Sequence, residues 1–221
     1  MYILGINAYH GDASACIYHN NQLIAASEEE RFRRIKHWAG FPTQAIEFCL
    51  NEAGIKISEV DYIAISRDPK ANFGKKVLTA LKNRLSVSNM LNRVKNLKKA
   101  ASVEDEIITH FGLEKGQLKA EIINVEHHRS HLASAFFASP FEEAAVLSID
   151  GFGDFTSTMT GIGKNNQIEV LDSVSYPHSL GVFYTTFTQF LGFPHYGDEY
   201  KVMGLAPYGE AKYVDQLRDV I

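Results

Sequence analysis

Apolar and polar residues alternate in three short runs at the start of the chain, YILGINA, SACIYH and NQLIAASEEE, with Asn20 and Asn21 between the second and third. Period-two alternation interrupted by turn residues predicts an antiparallel three-strand meander. The period then changes. In FPTQAIEFCLNEAGI the apolar positions Ala45, Ile46, Cys49 and Leu50 recur at helical spacing, Pro42 and Thr43 open the segment and Gly54 closes it, which predicts a helix. DYIAIS and IINVEH read as buried strands, and RSHLASAFFAS reads as a helix ended by Pro140. The order is βββαβαβα. The plan then restarts: EAAVLSIDGFGD, STMTGIG and QIEVLDSVSY predict a second meander with turns at Gly151, Gly153 and KNNQ, followed by the helical GVFYTTFTQFLGF.

A plan that begins twice predicts an α/β chain of two lobes related by a pseudo-dyad, with a cleft between them. The first lobe covers 1–143, and 144–221 starts a second lobe that is incomplete, as in a fragment of a longer protein. Between the two later strands of the first lobe lies a basic segment, about 67–100, with ten of the chain's 22 Lys and Arg residues and one acid, Asp68. Val77, Leu78, Leu81 and Leu85, then Met90, Leu91, Val94 and Leu97, recur at helical spacing, so two amphipathic helices with a cationic face are expected. A solvated helical insertion is the plainer meaning. A surface for RNA, phosphate or an acidic partner is the other, with salt-dependent binding as its signature.

Composition narrows the classes. The 221 residues are 45% hydrophobic and 22% charged with a net charge of −4, an ordinary globular balance with no global attraction to nucleic acid or anionic lipid. No stretch approaches the length of a membrane span and no basic leader opens the chain, so a cytoplasmic protein without a membrane partner is expected. Cys16 and Cys49 lack a CxxC partner and are expected to be buried free thiols.

Chemistry concentrates in EHHRSHLAS. His127 and His131 stand four apart and His128 and His131 three apart, so periodicity leaves either pair to share one helical face, as metal ligands or as packing. Asp150 ends the apolar run AAVLSI beside a glycine-rich turn, where a carboxylate is well placed at a cleft. Two His and one Asp with open positions form a catalytic type of coordination set for iron or zinc. An Asx turn is the alternative for Asp150. The glycine turns DGFGD and GINAYHGDAS follow strands and offer backbone N–H groups to phosphate oxygens, although neither is a Walker A loop or a GxGxxG fingerprint. Glu28, Glu29 and Glu30, before Arg31, read as strand-end surface with local ion pairing.

The phrases GINAYHGDASACIYHNNQLIAASEEERFRRIKHWAGFPTQAIEFCL, VEHHRSHLASAFFASPFEEAAVLSIDGFGD, YPHSLGVFYTTFTQFLGF and EYKVMGLAPYGE closely resemble the amino-terminal domain of the nodulation-type O-carbamoyltransferases. That domain is similar to the tRNA threonylcarbamoyl transferase domain of the actin/Hsp70/sugar-kinase-like fold, with ribonuclease H-like lobes. The resemblance implies that His127 and His131 fill the family's HxxxH pattern and that Asp150 is its strand-end aspartate. A further metal-binding aspartate and a carboxy-terminal carbamoyl-activating domain are implied beyond these residues. The implied cofactor is a divalent metal, iron foremost, with zinc or manganese as alternatives. The implied partners are ATP, carbamoyl phosphate and a hydroxyl-bearing small molecule or oligosaccharide, with no role for nucleic acid. Carbamoyl-adenylate is the implied bound nucleotide, and its carbamoyl group passes to the acceptor.

Within that scheme His10 is the candidate to take the acceptor's proton, with a turn hydrogen bond to Asp12 as the alternative. Lys36 is placed to pair with phosphate or carbamoyl oxygen and His37 to orient the acceptor, with a loop of solvated charge as the alternative for both. Gly151, Gly153 and Asp154 are placed around the adenylate, and Lys201 and Gly204 near the nucleotide, unless Lys201 simply covers a helix end. A relative of the tRNA-modifying transferases, or a nucleotide- or metal-binding module without turnover, are the competing functions.

Overall fold

The computed structural model describes residues 1–82, 103–114 and 116–220. They cluster into two compact units, Met1–His127 and His128–Ile221. The first is built on a five-stranded sheet of β1 (Tyr2–Asn7), β2 (Ser14–His19), β3 (Gln22–Glu28), β4 (Tyr62–Ile65) and β5 (Glu121–Asn124), in the order β3-β2-β1-β4-β5. β1, β2 and β3 form the antiparallel meander, and β4 and β5 extend it in parallel from β1. Asn20 and Asn21, at φ 47° and 68°, supply the left-handed pair that a tight hairpin requires.

Short α1 (Glu30–Arg33) follows β3, and α2 (Thr43–Ala53) buries Ala45, Ile46, Cys49 and Leu50, the four residues whose spacing predicts it. Gly54 ends α2 at φ 66°. Those side chains pack with Leu4, Ile6, Ile17 and Ile63 of the sheet in one core. α3 (Phe73–Lys82) opens the basic segment, and α4 (Val103–Phe111) adds Val103 and Ile107 to the core. The second expected amphipathic helix, with Met90, Leu91, Val94 and Leu97, lies outside the described residues, as does Leu85.

The second unit has an antiparallel sheet of β6 (Glu143–Gly153), β7 (Thr156–Lys164) and β8 (Gln167–Ser175). α5 (His127–Phe136) lays Leu132 and Phe136 on Val146 and Met159. Gly163 makes this possible, because a Cβ there would stand 2.5 Å from the Phe136 ring. The turns expected at Gly151 and Gly153 are displaced. β6 continues through both residues, its register shifts between Ile149 and Gly153, and the chain reverses at Asp154 and Phe155, at φ 48° and 78°. A bulge absorbs the extra residues, so the strand does not stop where its apolar run stops. α6 (Leu180–Phe190), α7 (Glu199–Leu205) and α8 (Val214–Arg218) follow. Among the described residues no helix is long and apolar enough to cross a membrane.

Both cysteines are free. Burial pushes the Cys49 thiol up to about 11 and the Tyr9 hydroxyl up to about 12. The unfolded chain therefore releases these protons at a lower pH than the folded chain does, and stability falls as pH rises through that window. The urea midpoint is expected to drop between pH about 8 and about 10.5, less so in Cys49→Ala. An equal alkaline drop in that variant would remove the thiol from the explanation.

Candidate metal centre

α5 resolves the ambiguity among its histidines through burial. His128 is fully buried, with Nδ1 2.8 Å from Ser148 Oγ and Nε2 3.0 Å from the Thr156 carbonyl. His127 and His131, one turn apart, are less buried, and the His131 ring centroid lies 5.9 Å from that of His128. One ligand atom each from His127, His131 and Asp150 lie within 4.8 Å of one another. His131 Nε2 stands 3.6 Å from Asp150 Oδ2, with the two side chains 49% and 42% exposed, so an ion could reach them from solvent.

An ion about 2.0–2.2 Å from each donor accommodates donors up to about 4.4 Å apart, so slight closure completes the set. Imidazole and carboxylate donors suit iron, zinc or manganese. The residues present therefore fit a divalent metal.

Asp150 is held from two directions. Its Oδ1 accepts the Gly151 N–H at 2.6 Å. Ser179, the N-cap of α6, accepts the Val182 N–H at 3.0 Å, and its Oγ lies 2.7 Å from the Gly151 carbonyl and 3.1 Å from that of Asp150. Gly181 lets α6 come this close, since a Cβ would lie 2.5 Å from the Asp150 carbonyl and the Gly151 nitrogen. The sequence reading missed Ser179 and Gly181, although a serine directly before an apolar helix is a capping signal. Gly181→Ala is expected to push α6 off β6, lowering stability by about 1–3 kcal/mol in urea unfolding.

The remaining candidates fall into separate groups. His10 lies in the loop after β1, its Nδ1 3.3 Å from the Gly11 carbonyl and its ring centroid 5.8 Å from that of His127. The Asp12 carboxylate holds His37 Nδ1 at 2.9 Å, while the His37 N–H donates to Glu30 Oε2 at 3.1 Å. Lys36 is exposed in the same turn. Gly151 and Gly153 lie within β6 and Asp154 in the turn after it. Lys201 Nζ binds Asp198 Oδ1 at 2.5 Å at the start of α7, a hydrogen bond that raises the lysine pKa and lowers the aspartate's. This is the helix-end role held as its alternative. Gly204 is exposed on α7.

Glu29 is not strand-end surface. Its side chain is fully buried, with Oε1 2.7 Å from Arg33 Nε and Oε2 accepting the Ala45 N–H at 2.8 Å. The Arg33 guanidinium also donates to Thr43 Oγ1 at 3.0 Å and sits 4.4 Å over the Trp38 ring. These partners offset the desolvation of the carboxylate. Ala13 and Tyr9 N–H groups bind the carbonyls of Trp38 and Gly40, so the same network braces the turn that carries Lys36 and His37. Glu29→Ala is expected to cost about 2–3 kcal/mol by urea unfolding, since it strands the Ala45 N–H and Arg33.

A meander-led mixed sheet, a second meander, and a cluster of two helix histidines with a strand aspartate define a mixed α/β chain. The chain belongs to the carbamoyltransferase N-terminus family, whose family model matches residues 2–221. It is 42% identical to the uncharacterized protein sll1178 of Synechocystis over 99% of this chain and 36% of that protein. It is 36% identical to the nodulation protein NolNO of Sinorhizobium fredii over 92% of this chain and 28% of that protein. The chain thus spans about a third of the length of these relatives. Among solved structures, YeaZ from Pseudomonas aeruginosa is similar at TM-score 0.41 and 16% identity, over 80% of this chain and 68% of that one.

Proposed function

We propose that the chain is the transfer domain of an O-carbamoyltransferase, moving a carbamoyl group from carbamoyl-adenylate to a hydroxyl of a sugar or secondary metabolite. The observation that carries this reading is the convergence of His127, His131 and Asp150 within a chain of the carbamoyltransferase N-terminus family. Carbamoyl-adenylate would be made from carbamoyl phosphate and ATP by a part of the protein beyond these residues. A divalent ion, iron foremost, supplies Lewis acidity and a template for phosphate or carbamoyl oxygens when bound.

The acceptor oxygen forms its bond to the carbamoyl carbon, the bond from that carbon to the adenylate phosphate oxygen breaks, and AMP leaves with the electron pair. His10 takes the acceptor's proton, a role worth about 10²–10⁴ in rate. His37, oriented by Asp12, aligns the acceptor, and Lys36 brings positive charge to the carbamoyl or phosphate oxygens. The backbone from Gly151 to Asp154 lies along the adenylate. Lys201 and Gly204 are assigned to the nucleotide's far side, and Lys201 exchanges its Asp198 partner to reach it.

The test combines metal content by plasma mass spectrometry with AMP binding by calorimetry. Near-stoichiometric metal in the native chain is expected, lost in His127→Ala, His131→Ala and Asp150→Ala together with weakened AMP binding. No metal in any sample, with AMP binding unchanged by the substitutions, would reduce the cluster to packing.

A further inference from the structure

We propose that His128 is a positioning residue for the metal cluster: its buried ring ties α5 to β6 and β7 and so sets the spacing between His127 and His131 on the helix and Asp150 on the strand. This rests on the reading of that cluster as a metal site.

The hydrogen-bond chemistry fixes the ring. The Thr156 carbonyl can only accept, so its 3.0 Å contact requires a hydrogen on Nε2 of His128. A neutral ring with that hydrogen carries a lone pair on Nδ1, which takes the Ser148 hydroxyl hydrogen at 2.8 Å. One side chain thereby bonds β6 through Ser148 and β7 through Thr156.

Packing alone does not call for an imidazole here. Leu132 and Phe136 already fill the same helix face against Val146 and Met159. An apolar residue would extend that contact without burying two ring nitrogens. Apolar contact is non-directional and tolerates sliding of the helix, whereas two hydrogen bonds to different strands do not. Ser148 stands two residues before Asp150 on β6, and His128 stands three before His131 on α5, about one helical turn. The anchored pair His128 and Ser148 is followed along the helix and the strand by the 3.6 Å pair His131 and Asp150.

The experiment titrates the chain with Co²⁺, following visible absorption and heat, with a melting temperature on each sample. His128→Phe keeps a planar ring but removes both bonds. It is expected to weaken Co²⁺ binding about 10–100-fold and to shift the absorption bands. His128→Gln, whose amide can still donate to Thr156, is expected to recover part of that loss. Ser148→Ala, which removes one bond with little change in volume, is expected to weaken binding about 3–10-fold, and it carries the test if His128→Phe does not fold. Native affinity and spectrum in folded His128→Phe or in Ser148→Ala, while His131→Ala loses binding, would overturn the positioning role and leave the metal site standing. A native chain that binds no Co²⁺ would overturn both.

Discussion

The seating of α5 on the second sheet is the constraint on which the candidate site depends. Ten residues of helix, only three of them buried, rest on β6 and β7 through Leu132, Phe136 and His128. The apolar pair supplies most of the adhesion, and the absent side chain of Gly163 gives the Phe136 ring its place. Burying that face turns His127 and His131 towards the strand that carries Asp150. The opposite support is α6, whose Ser179 cap and Gly181 grip the backbone of Asp150 and Gly151.

The first unit uses the same device in another place. A buried polar side chain, Glu29, gathers Arg33, Thr43 and the Ala45 N–H, and Arg33 in turn covers Trp38. The turn bearing Lys36 and His37 is braced by this network and by the Asp12 carboxylate. In both units an apolar core sets the gross architecture, and a directional buried group fixes a segment with candidate chemistry. Buried polar groups are costly unless fully partnered, so their presence at these two positions points to geometry more than to stability.

Legibility in the sequence followed the range of the forces involved. The first meander and α2 were readable because their period, caps and turns are local: Asn20 and Asn21 make the hairpin, and the four residues expected to face inward are those that do. The histidine pairing was not settled by spacing, because residues three and four apart lie on nearly the same helix face, and only partners on β6 and β7 decide which one is buried. Glu29 makes the local ion pair expected of it, with Arg33, but its burial was missed for a related reason. Its burial depends on Ala45, sixteen residues away, which no local pattern displays. The turn at Asp154 and Phe155 was placed too early because a bulge carries β6 past its last apolar residue. The family was legible from its long ordered phrases, whereas the Ser179 and Gly181 contacts with Asp150 emerge only once α6 is folded against β6.

The most direct measurement on the central claim is X-ray absorption at the zinc edge of the Zn²⁺-loaded chain. If His127, His131 and Asp150 bind one ion, the inner shell contains two imidazole nitrogens and a carboxylate oxygen at about 2.0–2.2 Å, with the multiple scattering that imidazole rings produce. A shell of oxygen scatterers alone, without imidazole scattering, would contradict the metal centre and leave those three side chains as surface neighbours.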